Sequence, residues 1–135
     1  MPFDSSPNKT KKLLFSFPAI AVAMIIFYVS SLEDIDLPLD EISFNDLIFH
    51  FIAYFIFGLS LMMAAYPWRM KRPYPVSTMV ILIIIGVVYA ASDEIHQFFV
   101  PGRTCTFSDF LADSAGVVTS ILVGNRYIRS AEKVF

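Results

Sequence analysis

Residues 76–100 read VSTMVILIIIGVVYAASDEIHQFFV. Residues 76–92 carry no charge, and the apolar character resumes through Phe98, Phe99 and Val100. A helix needs about 20 mostly apolar residues to cross a bilayer, and this stretch is long enough. Near its far end it is broken by Asp93-Glu94 and His96-Gln97. Ionisable groups inside a span cost about 2.5–3.5 kcal/mol each on insertion scales, so they face a cavity or each other. The stretch therefore predicts a membrane crossing that carries chemistry near one end.

Three further runs have the same character. Leu13–Leu32 is uncharged and lies between Lys11-Lys12 and Glu33. Its length, and the lack of an A-x-A-type site after it, mark a retained span rather than a cleaved signal peptide. Residues 47–66 form another span, stopped by Pro67, and residues 107–125 a fourth, weakened at its start by Asp109 and Asp113. A chain of 135 residues is one domain by length. With 56% hydrophobic and only 16% charged residues, it lacks the charged exterior of a soluble domain of that size. The expected fold is an all-α integral membrane protein, a four-transmembrane-helix bundle with spans at 13–32, 47–66, 76–100 and 107–125. A formal charge of −2 offers no phosphate-binding surface, so nucleic acid is not an expected partner. The single cysteine, Cys105, excludes an intramolecular disulfide.

Basic residues set the expected orientation. Lys9, Lys11 and Lys12 precede the first span; Arg69, Lys71 and Arg72 lie between the second and third; Arg126, Arg129 and Lys133 follow the fourth. The opposite side holds only Arg103. The positive-inside rule then puts residues 1–12 and 126–135 in the cytoplasm, as N-terminal segment and tail of a membrane domain at 13–125. Residues 33–45 and the turn at Pro101-Gly102 face outward. Val100-Pro101-Gly102-Arg103 suits a type II turn, and Thr106-x-x-Asp109 suits a cap on the fourth helix.

On this topology the polar residues share one depth, the outer third of the membrane. Asp46, His50 and Tyr54 are i, i+4 neighbours on one face. Asp93 and Gln97 share a face with Gly86 and Ala90, and Glu94 lies about 100° around from Asp93. Ala112, Gly116, Ser120 and Gly124 form a small-residue packing stripe, with Asp113 beside it. The second, third and fourth helices can thus each aim acids at one outward-open pocket. Asp46, Asp93, Glu94, Asp109 and Asp113 face one arginine and two histidines. So many carboxylates in a poorly solvated site must share protons or bind a cation. The plainer readings are that Asp109 and Asp46 cap helices, that His96 sits at the interface with Phe98 and Phe99, and that Arg103 pairs with Asp109 or Glu94. Tyr54 is then a packed aromatic, and the loop at residues 33–45 is solvated, the alternative being that Ile35, Leu37, Ile42 and Phe44 dip into the interface as a partial lid. His50 and Glu94 have no comparable structural excuse.

Three segments carry a family resemblance. Asp46-Leu47-Ile48-Phe49-His50-Phe51-Ile52-Ala53-Tyr54 resembles the D-K-x-x-H-F-x-x-Y signature of the VanZ-like family. Ser92–Arg103 resembles its S-D-E-x-x-Q-x-F-x-P-x-R signature, and Ser108–Gly116 its D-x-x-x-N-x-x-G pattern. Ser30-Ser31 also fits, and the likeness runs in order over about residues 25–124. Two positions depart from the pattern: Leu47 replaces the usual lysine and Asp113 the usual asparagine. Both make this site more acidic. The resemblance implies a bacterial envelope function at the inner membrane, with a name linked to teicoplanin resistance.

The expected function is binding or modifying a membrane lipid or lipid-linked envelope molecule. Asp46, His50, Asp93 and Glu94 are the candidate catalytic groups; Tyr54, Gln97, Arg103, Asp109 and Asp113 are the candidate binding groups. The cofactor is left open and no metal ligand is assigned. A homo-oligomer is compatible with the reading. One alternative is a metal-dependent membrane hydrolase with Asp46, His50, Asp93 and Glu94 as ligands, although no H-E-x-x-H motif supports it. Others are a small proton-coupled transporter, or a structural envelope-assembly protein.

Overall fold

In a computed structural model, the structure describes residues 9–33, 42–68, 73–103 and 105–131. All regular structure among them is helical: α1 (Lys9–Ser30), α2 (Ile42–Ala65), α3 (Val76–Gln97) and α4 (Phe107–Ala131), with a 3₁₀ turn at Tyr66–Trp68. All four α-helices are long and apolar enough to cross a membrane, α4 being the least apolar. Leu13, Phe17, Met24, Phe49, Val88 and Leu122 stand exposed on their outer faces. Such residues belong against lipid tails, where they cost nothing.

Helix limits differ from the sequence expectation in ways the backbone explains. α1 begins four residues before Leu13, because Lys9 and Lys12 tolerate a helical first turn outside the apolar run. α2 starts at Ile42, so Asp46 lies within the helix and is not its cap. α3 stops at Gln97. Phe99 and Val100 instead donate backbone bonds three residues back, to His96 and Gln97, ahead of Pro101. The residue before a proline is driven out of the α region, which ends the helix. α4 continues past Asn125 to Ala131, into the segment expected to be a tail. Arg69, Lys71, Arg72 and Lys133 lie outside the described residues, as do Ile35 and Leu37 and the side chains of Ile42 and Phe44.

The core is a seam between α2 and α4, the most extensive helix contact in the molecule. The two helices run parallel, and small residues let their backbones approach. A Cβ on Gly116 would collide with the Phe51 carbonyl oxygen and lie 2.9 Å from Phe55 N. One turn on, Gly58 faces Ser120, and a turn further Gly124 faces Met62. Ala112 begins the stripe and Val117 fills the hollow beneath Gly86 of α3. Without water to drive association, such close packing is what holds membrane helices together. α1 lies at the side, burying only Ala19, Ile26 and Ser30. The Tyr89 hydroxyl donates to the Ala23 carbonyl at 2.7 Å and ties α1 to α3.

Candidate functional site

The acids and histidines of α2, α3 and the start of α4 collect, with Ser30 of α1, at the end of the bundle where α1 and α3 finish and α4 begins. Three local devices shape that end. Gly102 has φ 79° and Arg103 N–H donates to the Val100 carbonyl at 3.2 Å, the expected type II turn. Asp109 N–H donates to Thr106 Oγ1 at 3.1 Å, while the Thr106 hydroxyl donates to Asp109 Oδ2 at 2.6 Å. This reciprocal cap is worth about 1 kcal/mol and gives Asp109 its helix-starting role. Glu94 Oε2 accepts from Thr106 N–H at 3.0 Å, so α3 holds the first turn of α4 in place.

Arg103 does not pair with Asp109 or Glu94. Its Nε and Nη2 donate to the carbonyls of Leu32 and Val29, at 3.1 and 3.0 Å. The last carbonyls of α1 have no partners within their own helix, and a guanidinium there also complements the helix dipole. His96 is likewise more than an interface residue. It stacks on Phe27 at 4.6 Å between ring centroids, and its Nε2 lies 2.9 Å from Ser31 Oγ. Both contacts clamp α1 against α3.

The acids form two groups that meet at His50. On one side, α1, α2 and α3 enclose an open cleft of about 480 Å³. Its polar end is formed by Asp46, His50, Tyr54, Asp93, Gln97 and Arg103. Its apolar wall comes from Phe49, Ile52, Ala53 and Ile56 of α2, opposite Ile25, Ile26 and Val29 of α1. Asp93, 5% exposed, accepts from Gln97 Nε2 at a long 3.4 Å through Oδ2, and its Oδ1 has no partner among the described residues. The same holds for the Tyr54 hydroxyl and for Ser30 Oγ.

On the other side, between α2, α3 and α4, lie Glu94, Asp109 and Asp113. None of these three lines the cleft. Asp113 is fully buried, and its Oδ1 lies 3.0 Å from His50 Nδ1. His50 Nε2 is 3.9 Å from Asp46 Oδ1. His50 thus stands between the two sides, one ring nitrogen toward each carboxylate. The acid at position 113, where the resembled pattern carries asparagine, is the one that engages this histidine. Of the ligands expected for a hydrolase, Asp46 and His50 group with Asp109, and His50 and Glu94 group with Asp113, each set of donor atoms lying within 4.8 Å, while Asp93 is in neither group.

The sequence reading missed the contribution of α1 to the cleft. The signal on α2 was available: Phe49, Ile52, Ala53 and Ile56 fall at i, i+3, i+4 and i+7, an apolar stripe beside Asp46, His50 and Tyr54. Nothing comparable marks Ile25, Ile26 and Val29 within an apolar run.

Four membrane-length helices packed on a small-residue seam, with buried polar groups at one end, define a multi-pass α-helical membrane protein. The model of the VanZ/LLP1 family matches residues 4–127, nearly the whole chain, and the protein belongs to that family. No curated protein and no solved structure matches the chain.

Proposed function

We propose that this VanZ/LLP1 protein binds an amphiphilic envelope molecule, a lipid or lipid-linked species, in the cleft between α1, α2 and α3. One observation carries the reading: the cleft joins an apolar wall to a polar end. An acyl or prenyl chain fits the α1–α2 wall, and its headgroup meets Asp46, His50, Gln97 and Arg103. A volume of about 480 Å³ lies within the range of about 300–1,000 Å³ typical of ligand pockets. It accommodates a headgroup and the first part of a chain, leaving the remainder in the bilayer.

The charge distribution supports a cytoplasmic-membrane location with both termini inside, which places the polar end at the outer leaflet. Arg103 and His50 supply positive or donor groups to an anionic head, and Asp93 is positioned as an acid or base toward it. Glu94, behind the cleft, acts on the site through its hold on Thr106. A contribution to glycopeptide resistance is the cellular outcome the family name suggests, and teicoplanin susceptibility of a deletion strain tests it.

Two experiments examine the reading. Cys105 is exposed beside the polar end, and it is the only cysteine. A membrane-impermeant maleimide should label it in intact spheroplasts; labelling only after lysis reverses the orientation. Native mass spectrometry in mild detergent should find a retained amphiphile on the wild type. His50→Ala should remove it at the polar end, and Ile52→Trp should crowd it out along the wall. Equal retention in all three proteins contradicts the cleft as the site.

A further inference from the structure

Behind the cleft, α2, α3 and α4 each contribute one residue to a tight group. A ring nitrogen of His50 and carboxylate oxygens of Glu94 and Asp113 lie within 4.8 Å of one another. Glu94 and Asp113 are 5% and 0% exposed. One oxygen of each is already engaged: Glu94 Oε2 by Thr106 N–H, and Asp113 Oδ1 by His50. The other two, Glu94 Oε1 and Asp113 Oδ2, are buried without a hydrogen-bond partner among the described residues. A buried carboxylate oxygen left unpaired costs more than its contacts return. With the His50 imidazole, Glu94 and Asp113 make a donor set that a shared proton or a bound cation would satisfy. Arg103 does not supply it, because two of its nitrogens donate to the carbonyls at the end of α1. Asp46 and Asp109 make an overlapping group with His50, also within 4.8 Å, and deepen the negative field.

We infer that His50, Glu94 and Asp113 form a binding site for a divalent first-row transition cation. An imidazole with two carboxylates is a mixed nitrogen and oxygen donor set, which suits manganese, iron or zinc better than calcium or magnesium. Metal–donor distances of about 2.0–2.2 Å put ligand atoms roughly 3–3.5 Å apart, so donor atoms 4.8 Å apart must close by roughly 1.3–1.8 Å. Rotamer adjustment of Glu94 and His50 can supply that without moving a helix. Two carboxylates neutralise the cation, and any proton held between His50 and Asp113 leaves when it binds. The cation would tie α2, α3 and α4 together beside the cleft, with His50 reaching both. The inference stands independently of any amphiphile.

The test uses the full chain in detergent, stripped with chelator and then titrated with Mn²⁺ or Co²⁺. Loss of the free Mn²⁺ electron paramagnetic resonance signal should report a single bound ion per chain. Bound Co²⁺ should show visible d–d absorption shaped by nitrogen and oxygen ligands. Glu94→Gln and Asp113→Asn should each weaken Mn²⁺ binding at least about tenfold. Asn125→Ala, at the opposite end of the bundle, should leave affinity close to wild type. Thermal melting confirms that each variant is folded. A wild-type protein that binds neither ion overturns the site, as does binding unaffected by both ligand substitutions. Mn²⁺ binding without a retained amphiphile would leave this site standing and remove the cleft reading alone.

Discussion

At the Tyr74 end of the bundle, a single amide does the work of a short β-bridge. Asn125 Oδ1 accepts from Tyr74 N–H at 2.7 Å and its Nδ2 donates to the Tyr74 carbonyl at 3.2 Å, while the Tyr74 hydroxyl donates to the Met62 carbonyl at 2.8 Å. Thr78 Oγ1 is the exception to this pairing. At the Gln97 end the pattern reverses: Tyr54 Oη, Asp93 Oδ1, Glu94 Oε1 and Asp113 Oδ2 are all buried and unpartnered among the described residues. Both ends bury polar residues, and the Gln97 end buries more of them. One spends them on holding the fold. The other keeps carboxylates at a cost, and a retained cost of that kind marks a site for something the chain alone does not supply.

Substitutions should separate the two ends. The largest effect belongs to the seam that joins them. A methyl at position 116 would press on backbone atoms of α2, which cannot turn aside, so Gly116→Ala should lower stability by about 1–3 kcal/mol in a detergent melt. Gly116→Leu should yield no cooperative melt. Gly58→Ala should be milder than Gly116→Ala, because the closest atom it meets is the Ser120 hydroxyl, a side-chain group.

Asn125→Ala comes next. It removes the side-chain partner of the Tyr74 N–H and carbonyl, and should cost about 1–2 kcal/mol in the same melt while amphiphile and Mn²⁺ binding persist. Arg103→Ala is smaller: it uncaps the end of α1 from a half-exposed position, so the stability loss should stay below about 1 kcal/mol. Its signature is local, as faster amide exchange over residues 29–32 than over α2 or α4.

Much of this arrangement is legible in the sequence, and the reason is physical. A span is a property of one contiguous run, so residues 76–92 announce theirs without help from any other part of the chain. The i, i+4 set Asp46, His50 and Tyr54 likewise needs only helix geometry, and all three do line one cleft. What the sequence withholds is which face of α2 meets which neighbour. That depends on the α2–α4 seam, where the close approach at Gly116 sets Asp113 against His50. Spacing within one helix cannot give a relation between three. Arg103 shows the same limit: several acids lie near it in sequence, yet its partners are carbonyls of α1, more than seventy residues away.

Asp93→Asn separates the two ends most sharply, with the smallest expected change in stability. It replaces a buried acid, whose contacts are the 3.4 Å bond from Gln97 and the nearby Tyr54 hydroxyl, with an amide of the same shape that can keep both, so the fold should lose nothing. The direct measurement is therefore a paired one on the same purified sample: the melting temperature, and the fraction of chains carrying an amphiphile by native mass spectrometry. The account predicts a melting temperature equal to or above that of the wild type, with retention lost. A lowered melting temperature with retention intact would contradict it, and would make Asp93 a structural residue like Asn125.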